Sequence, residues 1–410
     1  MKITQNREAC DAQHQGAVVR KGWQVKTIGD VCEVMNGGTP KSGVPEYWNG
    51  IHRWITPAEM GKRLSPYVSD TARKITDQGL RDSSARMLPP NSVIISSRAP
   101  IGHLVINTEP MGTNQGCKGL IPGSSIETKF LYYYLSSIVD LLNSLGTGAT
   151  FKELAGSKLK EVIVPVPPLA EQRCIVAILD EAFESIAIAK ANTEKNLQNA
   201  RVLFESHLES IFTERGEGWV EKRLGDVCAI FSTLVDPRKE DFIDLIHVGA
   251  GNIQSQTGVF VDLKTAREEG LISGKFLFDE SMVLYSKIRP YLMKAARPDF
   301  NGLCSADMYP LSPLHNQITR DYLFHLLLSK PFTDYAIRGS ARAGMPKVNR
   351  EHLFEFRAWL PRVKKQMEQT AILDALHDET QRLAYLYQKK LTALDDLKKS
   401  LLHQAFSGAL

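Results

Sequence analysis

The side chains able to carry chemistry are scattered along this chain. Its six cysteines (Cys10, Cys32, Cys117, Cys174, Cys228 and Cys304) include no Cys-x-x-Cys pair, so neither a zinc site nor a disulfide framework is expected. A loop that cradles phosphate needs Gly-x4-Gly-Lys followed by Ser or Thr. The nearest stretch, "GLISGK" from Gly270 to Lys275, is one residue short and lacks the hydroxyl. The sequence holds no Gly-x-Ser-x-Gly elbow, no His-Glu-x-x-His pair and no Gly-x-Gly-x-x-Gly turn. It also lacks the Asn-Pro-Pro-aromatic tetrapeptide with which an amino-methyltransferase holds its target nitrogen. These absences predict a chain that is not an enzyme, with no catalytic residue, metal or cofactor of its own.

What the sequence does carry is repetition. "GWQVKTIGDVCEV" (Gly22 to Val34) returns as "GWVEKRLGDVCAI" (Gly218 to Ile230), with seven of thirteen positions identical at an offset of 196. "VPVPPLAEQRCIVAILDEAFESI" (Val164 to Ile186) returns as "AWLPRVKKQMEQTAILDALHDET" (Ala358 to Thr380). That second pair sets Pro167 against Pro361, Gln172 against Gln366 and Asp180 against Asp374, an offset of 194. A fixed long period is the first thing to establish, since it dictates the architecture. The chain is duplicated.

Two stretches, from about Leu169 to Glu214 and from about Arg362 to Ser407, run without proline or glycine and carry an apolar stripe at helical spacing. Ile175, Ile178, Ile186, Phe204 and Ile211 mark the first stripe, with Leu376, Leu383, Leu386, Leu394, Leu397 and Leu401 as the second. At 1.5 Å per residue each helix is about 65–70 Å long and needs a partner to cover its stripe, most simply the other copy. The intervening segments are rich in Gly and Pro and in short β-branched runs such as "SVIISS" and "SMVLYS", which read as strands. The expected order is a polar N-terminal tail over 1–20, a first α+β domain over 21–166, a central helix over 167–216, a second domain over 217–360 and a C-terminal helix over 361–410. Trp48, Trp54 and Trp359 are read as core.

At 410 residues the chain suits two or more domains, and 43% hydrophobic with 23% charged residues is ordinary for a folded globular protein. No apolar run approaches the roughly 20 residues that span a bilayer, so no membrane contact and a cytoplasmic location are expected. A net charge of +4 neither marks nor excludes a nucleic-acid partner, because that signature is a local patch.

In order, spacing and duplication, these motifs resemble the specificity subunits of Type I restriction–modification systems, over nearly the whole chain from Lys21. "PVPPLAEQRCIVAILD" looks like that family's lead-in to a spacer helix; in the second copy, Pro-Pro-Leu-x-Glu-Gln has become Pro361-Arg362-Val363-Lys364-Lys365-Gln366. "WITPAEMG", "VIISSRAPIG" and "TNQGCKGLIP" are similar to one type of target-recognition domain, and "VLYSKIRPYL" with "GLCSADMYPL" to another. The resemblance implies two target-recognition domains and two long antiparallel spacer helices in a pseudo-twofold repeat. It implies reading of a bipartite, asymmetric target in double-stranded DNA. It also implies two methyltransferase subunits and restriction subunits as partners, with S-adenosylmethionine, ATP and Mg held by those partners.

Base edges are read by long donors and acceptors, and phosphates are held by cations. On this reading the candidates in the first domain are Lys41, Arg53, Lys62, Arg63, Ser97, Arg98, Asn114 and Gln115. In the second they are Lys287, Arg289, Lys294, Arg338, Arg342 and Lys347, the last three within the glycine-interrupted "RGSARAGMPKVNR" (Arg338 to Arg350). The alternatives are an adaptor that bridges two proteins and an enzyme in its own right. Neutralising Arg338, Arg342 and Lys347 together is expected to weaken duplex DNA binding in a gel-shift assay. An adaptor predicts no such loss.

Overall fold

A computed structural model of the chain describes residues 22–63, 65–98, 100–148, 152–340 and 346–410. The tail expected over 1–20 and the candidate Arg342 lie outside the described residues. The chain divides into two units, one formed by Met1–Ala191 with Leu391–Leu410 and the other by Asn192–Lys390. Each unit therefore holds one mixed domain together with a portion of both long helices. Those helices, Leu169–Thr213 and Val363–Ser407, are 45 residues each.

In the first unit a five-stranded sheet runs in the order Cys32–Asn36, Cys117–Pro122, Val93–Ser97, Ile101–Asn107, Tyr67–Val68. A four-stranded sheet is built on Trp48–Ile55 and Met111–Thr113. In the second unit Val283–Ser286 takes the place of Val93–Ser97, and both strands are buried throughout, as apolar runs bounded by turn residues demand. Each domain ends in a buried helical patch, Thr128–Ser137 or Arg320–Leu327, packed on its sheet.

The repeated motifs close each domain on itself. Gln24–Thr27 pairs antiparallel with Ile163–Val166, the strand that feeds the central helix. Val220–Arg223 pairs in the same way with Arg357–Leu360, which feeds the C-terminal helix. Past the strand, the repeated Asp turns the chain. Asp30 accepts the Thr27 backbone N–H at 2.8 Å, and Asp226 accepts the Arg223 guanidinium at 3.0 Å. The repeated glycine lets the chain pass close by: a Cβ on Gly29 would lie 3.2 Å from Lys160 Cβ, and one on Gly225 3.1 Å from Phe354 Cβ.

A buried glutamine then bolts each helix start to its domain. The Gln172 side chain is fully buried; its Oε1 accepts the Glu127 backbone N–H at 2.8 Å, and its Nε2 donates to Ser125 O at 3.0 Å and Pro167 O at 2.8 Å. Gln366, also fully buried, accepts from Thr319 N at 2.9 Å and donates to Gln317 O at 3.1 Å and Pro361 O at 2.9 Å. Two turns on, the repeated aspartate adds a second fastening with different partners. Asp180 takes the Lys129 ammonium at 2.7 Å, whereas Asp374 takes Arg297 Nη2 and His325 Nε2, each at 2.8 Å.

Within each unit the two helix portions run antiparallel. In the first, Lys190 is ion-paired with Asp395 and the Lys398 ammonium lies 5.0 Å from the Phe183 ring centre. In the second, Phe204 meets His377 edge-on. The leucine stripe is not the continuous core expected: Leu386 and Leu397 are 44% and 47% exposed, and Ile178, on the first stripe, is 41% exposed. A seven-residue spacing drifts about 20° per heptad around a straight helix, so a 45-residue stripe cannot face one neighbour throughout. Burial instead follows the domain, with Leu373 in one unit and Leu402 and Ala405 in the other. Trp54 is core as expected, but Trp48 and Trp359 are half-buried, each with an arginine on its face: Arg73 at 3.7 Å and Arg215 at 4.7 Å.

Gln172→Ala and Gln366→Ala each strand three backbone partners, one of them in a fully buried bond, and thermal unfolding should show a loss of about 1–3 kcal/mol for either. Met367→Ala, on the exposed face, should stay within about 0.5 kcal/mol. The aspartate fastenings predict an asymmetry in acid. Burial holds the His325 imidazole below its ordinary 6.5 despite its bond to Asp374. The unfolded chain therefore takes up that proton first, and the stability the neutral ring provides falls away as pH drops below 6.5. Lys129 is raised above 10.5 because its bond and attraction to Asp180 outweigh burial, so that fastening weakens only in strong base. Between pH 7.5 and 5.5, hydrogen-exchange protection, taken relative to the intrinsic rate at each pH, should fall in Arg320–Leu327 and not in Thr128–Ser137.

Candidate nucleic-acid interface

The first domain gathers a polar cluster where three segments meet. Gly116 O accepts the Ser97 N–H at 2.7 Å, and Asn114 N donates to Ile55 O at 2.9 Å, so the "TNQG" turn is tied to both sheets. Thr39 reaches over this turn. Its hydroxyl accepts from Asn114 Nδ2 at 3.1 Å and donates to the Gln115 side chain. Asn114 Oδ1 accepts the Gly116 N–H at 2.6 Å, which commits both ends of its amide to the turn and leaves Gln115 exposed beside it. Ser97 is wholly buried, like every residue of its strand; it cannot reach a ligand on the surface. Arg98, next in sequence, is 36% exposed and faces Glu153 at 3.8 Å.

A second group lies on Trp48–Ile55 and its neighbour. Arg53 and Lys74 are cross-strand partners, and both approach Asp70, at 3.5 and 3.0 Å. The Lys74 hydrogen bond holds the Asp70 carboxyl below the usual carboxylate range, so it remains a fixed anion between the two cations. Arg63 is occupied by Glu59 Oε1 and Asp70 O, each at 2.7 Å, while Lys41 and Lys62 stand exposed.

In the second domain, Lys287, Arg289 and Lys347 come together. Ile288 bridges to Lys347, the Arg289 N–H donates to Pro346 O at 2.9 Å, and Val348 N donates to Lys287 O at 2.8 Å. Asp307 lies 3.8 Å from the Lys287 ammonium and 3.5 Å from that of Lys347. Arg289 is exposed and left-handed, with φ of 49°, held in that conformation between its backbone bond and Pro290. Non-glycine residues pay for this region of backbone space, which persists only where neighbours enforce it. Lys294 is turned inward, its ammonium 2.6 Å from Ala250 O, and Arg338 is exposed at the end of the helix Lys330–Arg338. The structure thus unites Arg98, Asn114 and Gln115 in one group, Arg53 with Arg63 around Asp70 in another, and Lys287, Arg289 and Lys347 in a third.

Sequence reasoning missed the anions that organise these cations (Asp70, Glu153 and Asp307) and the nearly buried Lys118, which lies 3.8 Å from Glu153. No local pattern marks them; each is brought in from a different segment. Among the described residues, no group of three or more His, Cys, Asp or Glu side chains is placed to hold a metal ion. None of their helices is long and apolar enough to cross a membrane.

Two copies of one closing sheet and one helix fastening, each carrying a different cation-bearing domain, define a duplicated recognition scaffold. The chain belongs to the family of Type I restriction modification DNA specificity domains, whose profile matches residues 20–199 and 216–391. It is 33% identical over 242 residues to the MjaIX specificity subunit of Methanocaldococcus jannaschii, an alignment covering 55% of this chain and 56% of that protein. It is 27% identical over 318 residues to the EcoDI specificity subunit of Escherichia coli, covering 70% of each. In fold it resembles a chain from a structure of a type I R-M system, with TM-score 0.75, 17% identity and coverage of 96% of this chain and 99% of that one. It also resembles the HsdS subunit from Thermoanaerobacter tengcongensis, with TM-score 0.59, 17% identity and coverage of 96% and 98%.

Burial and the neighbouring Lys347 push the Lys287 ammonium below its ordinary 10.5, against the pull of Asp307. Amine-selective labelling of Lys287 followed across a pH series should therefore reach its midpoint below pH 10.5. Lys347→Met should raise the Lys287 titration point, and Asp307→Asn should lower it further.

Proposed function

We propose that this chain is the sequence-reading subunit of a Type I restriction–modification complex. It binds double-stranded DNA at a bipartite, asymmetric target, one half per domain, and performs no chemistry itself. Two methyltransferase subunits dock on it, restriction subunits join them, and those partners hold S-adenosylmethionine, ATP and Mg. Its place of work is the cytoplasm, with the DNA. One observation carries the reading: the closing sheet and the buried glutamine fastening recur in both copies, while the faces they present differ. A symmetric dimer would confine its reader to palindromes; duplication within one chain frees the two faces to diverge.

Within this reading the candidate side chains have separate tasks. Lys41, Lys62, Arg338 and Arg342 suit phosphate, while Gln115, Arg98, Arg289 and Lys347 suit base edges, where Arg and Lys match guanine and Gln matches adenine. Arg53, Arg63, Lys287 and Lys294 are held by anions or carbonyls and brace the surface, and Ser97 and Asn114 shape it from behind.

The test uses the full chain assembled with its methyltransferase subunits, titrated by fluorescence anisotropy. Lys41→Ala with Lys62→Ala should weaken binding to every duplex and reduce the slope of log affinity against log salt by about one per lost phosphate contact. Gln115→Ala should instead alter base preference in one half of the target only, by about 1–3 kcal/mol at the position read. If the assembled complex prefers no sequence, or if neither substitution moves its DNA binding, the reading is wrong.

A further inference from the structure

The strand Trp48–Ile55 contains a detour that its packing does not require. Ile75, on the neighbouring strand, is paired with both Trp48 and His52, so Asn49, Gly50 and Ile51 form an outward excursion between them. The excursion is tightly built. Asn49 adopts a left-handed conformation, with φ of 62°. A Cβ on Gly50 would lie 2.4 Å from Ile75 O, so only glycine permits the approach. Its base is braced on both sides: the Arg73 guanidinium stacks 3.7 Å above Trp48, Trp48 meets Trp54 edge-on, and His52 bonds to Asp77 at 2.7 Å. At the tip, the isoleucine side chain is 74% exposed.

A lone exposed apolar residue on a surface is ordinary. A strained bulge that lifts one out on a rigid base is not, because bulges serve to re-aim a side chain and carry a cost in pairing. The surroundings suggest what it meets. Lys41, whose carbonyl accepts the Trp48 indole N–H at 3.3 Å, flanks the bulge on one side. Arg53 and its cross-strand partner Lys74 flank it on the other. Asp70 joins Arg53 and Lys74, which leaves Lys41 as the flanking cation that pairs with no anion among the described residues. An isolated β-branched tip of this kind is too small for a protein interface, which needs a contiguous apolar centre. It is well sized for one methyl group displayed by a polyanion.

Building on the proposed DNA reading, we infer that Ile51 is a specificity residue of the first domain, packing against the 5-methyl group of a thymine in the major groove. Lys41 holds a phosphate on one side, and the braced bulge keeps the side chain at a fixed height. Thymine C5-methyl is the apolar mark by which the major groove distinguishes T·A from the other pairs.

The experiment follows from the chemistry, since deoxyuridine is thymidine without that methyl. The full chain, assembled with methyltransferase subunits, is titrated against its own target duplex with each thymine of the half read by the first domain replaced in turn by deoxyuridine. One replacement should weaken wild-type binding about fourfold, the worth of one buried methyl-sized contact. Ile51→Ala should bind the unmodified target about fourfold less well and be indifferent to that same replacement, with its Tm unchanged because the residue is exposed. Two results overturn the inference while leaving the DNA reading intact. In one, the wild type binds its target specifically but tolerates every replacement, as it would if Ile51 were a wedge between base steps. In the other, Ile51→Ala retains the wild-type sensitivity. A wild-type complex without sequence preference would instead remove the DNA reading, and this inference with it.

Discussion

The fold depends on one side-chain amide used twice. A long helix gains little from its own backbone bonds, and its first turn leaves N–H groups unpaired, so its direction must be fixed from outside. Gln172 and Gln366 do this from full burial, each accepting one backbone N–H from the domain and donating to two carbonyls, one of them the proline that opens the helix. A buried amide with all three bonds made adds modest stability, but the same amide left unpaired is costly, so any other helix direction is penalised. The closing sheet adds to this constraint: the strand that opens each domain pairs with the strand that feeds the helix. Reading surfaces can then vary without loosening the frame.

The aspartates one step further along show how far such divergence goes. Asp180 and Asp374 occupy equivalent places, yet one is met by a lysine and the other by an arginine and a buried histidine. Geometry is retained while chemistry drifts, because a carboxylate accepts hydrogen bonds from any of these donors. The same permissiveness explains why "PPLAEQ" could become "PRVKKQ". Pro167 and Pro361 supply the carbonyl and Gln172 and Gln366 supply the amide in both copies. The proline and the glutamine that make the fastening are retained at both ends of the hexapeptide.

Much of this architecture was legible in the residues. The offsets of 196 and 194 gave the duplication, and the proline-free stretches gave both helices to within a residue or two of Leu169–Thr213 and Val363–Ser407. The helix stripe was over-read. Leu386 and Leu397 obey the spacing but sit exposed, since periodicity reports that a face is apolar and not what lies opposite it. The surface was the least legible part. Ser97 and Arg98 are neighbours in sequence, one sealed inside a sheet and the other on its rim. Whether a cation is free depends on an anion delivered from elsewhere in the chain, as Asp70 is to Arg53 or Asp307 to Lys287. Such pairings are long-range, and no local pattern encodes them.

The central claim is that two differently faced domains on one repeated frame read two halves of one DNA target for a methyltransferase. Its most direct test is modification-sensitive sequencing of host DNA with the gene intact and with it deleted. The account predicts a split, asymmetric motif carrying N6-methyladenine on both strands, present in the intact strain and lost on deletion. A methylation map unchanged by deletion, in cells where the methyltransferase subunits are shown to be made, would contradict it.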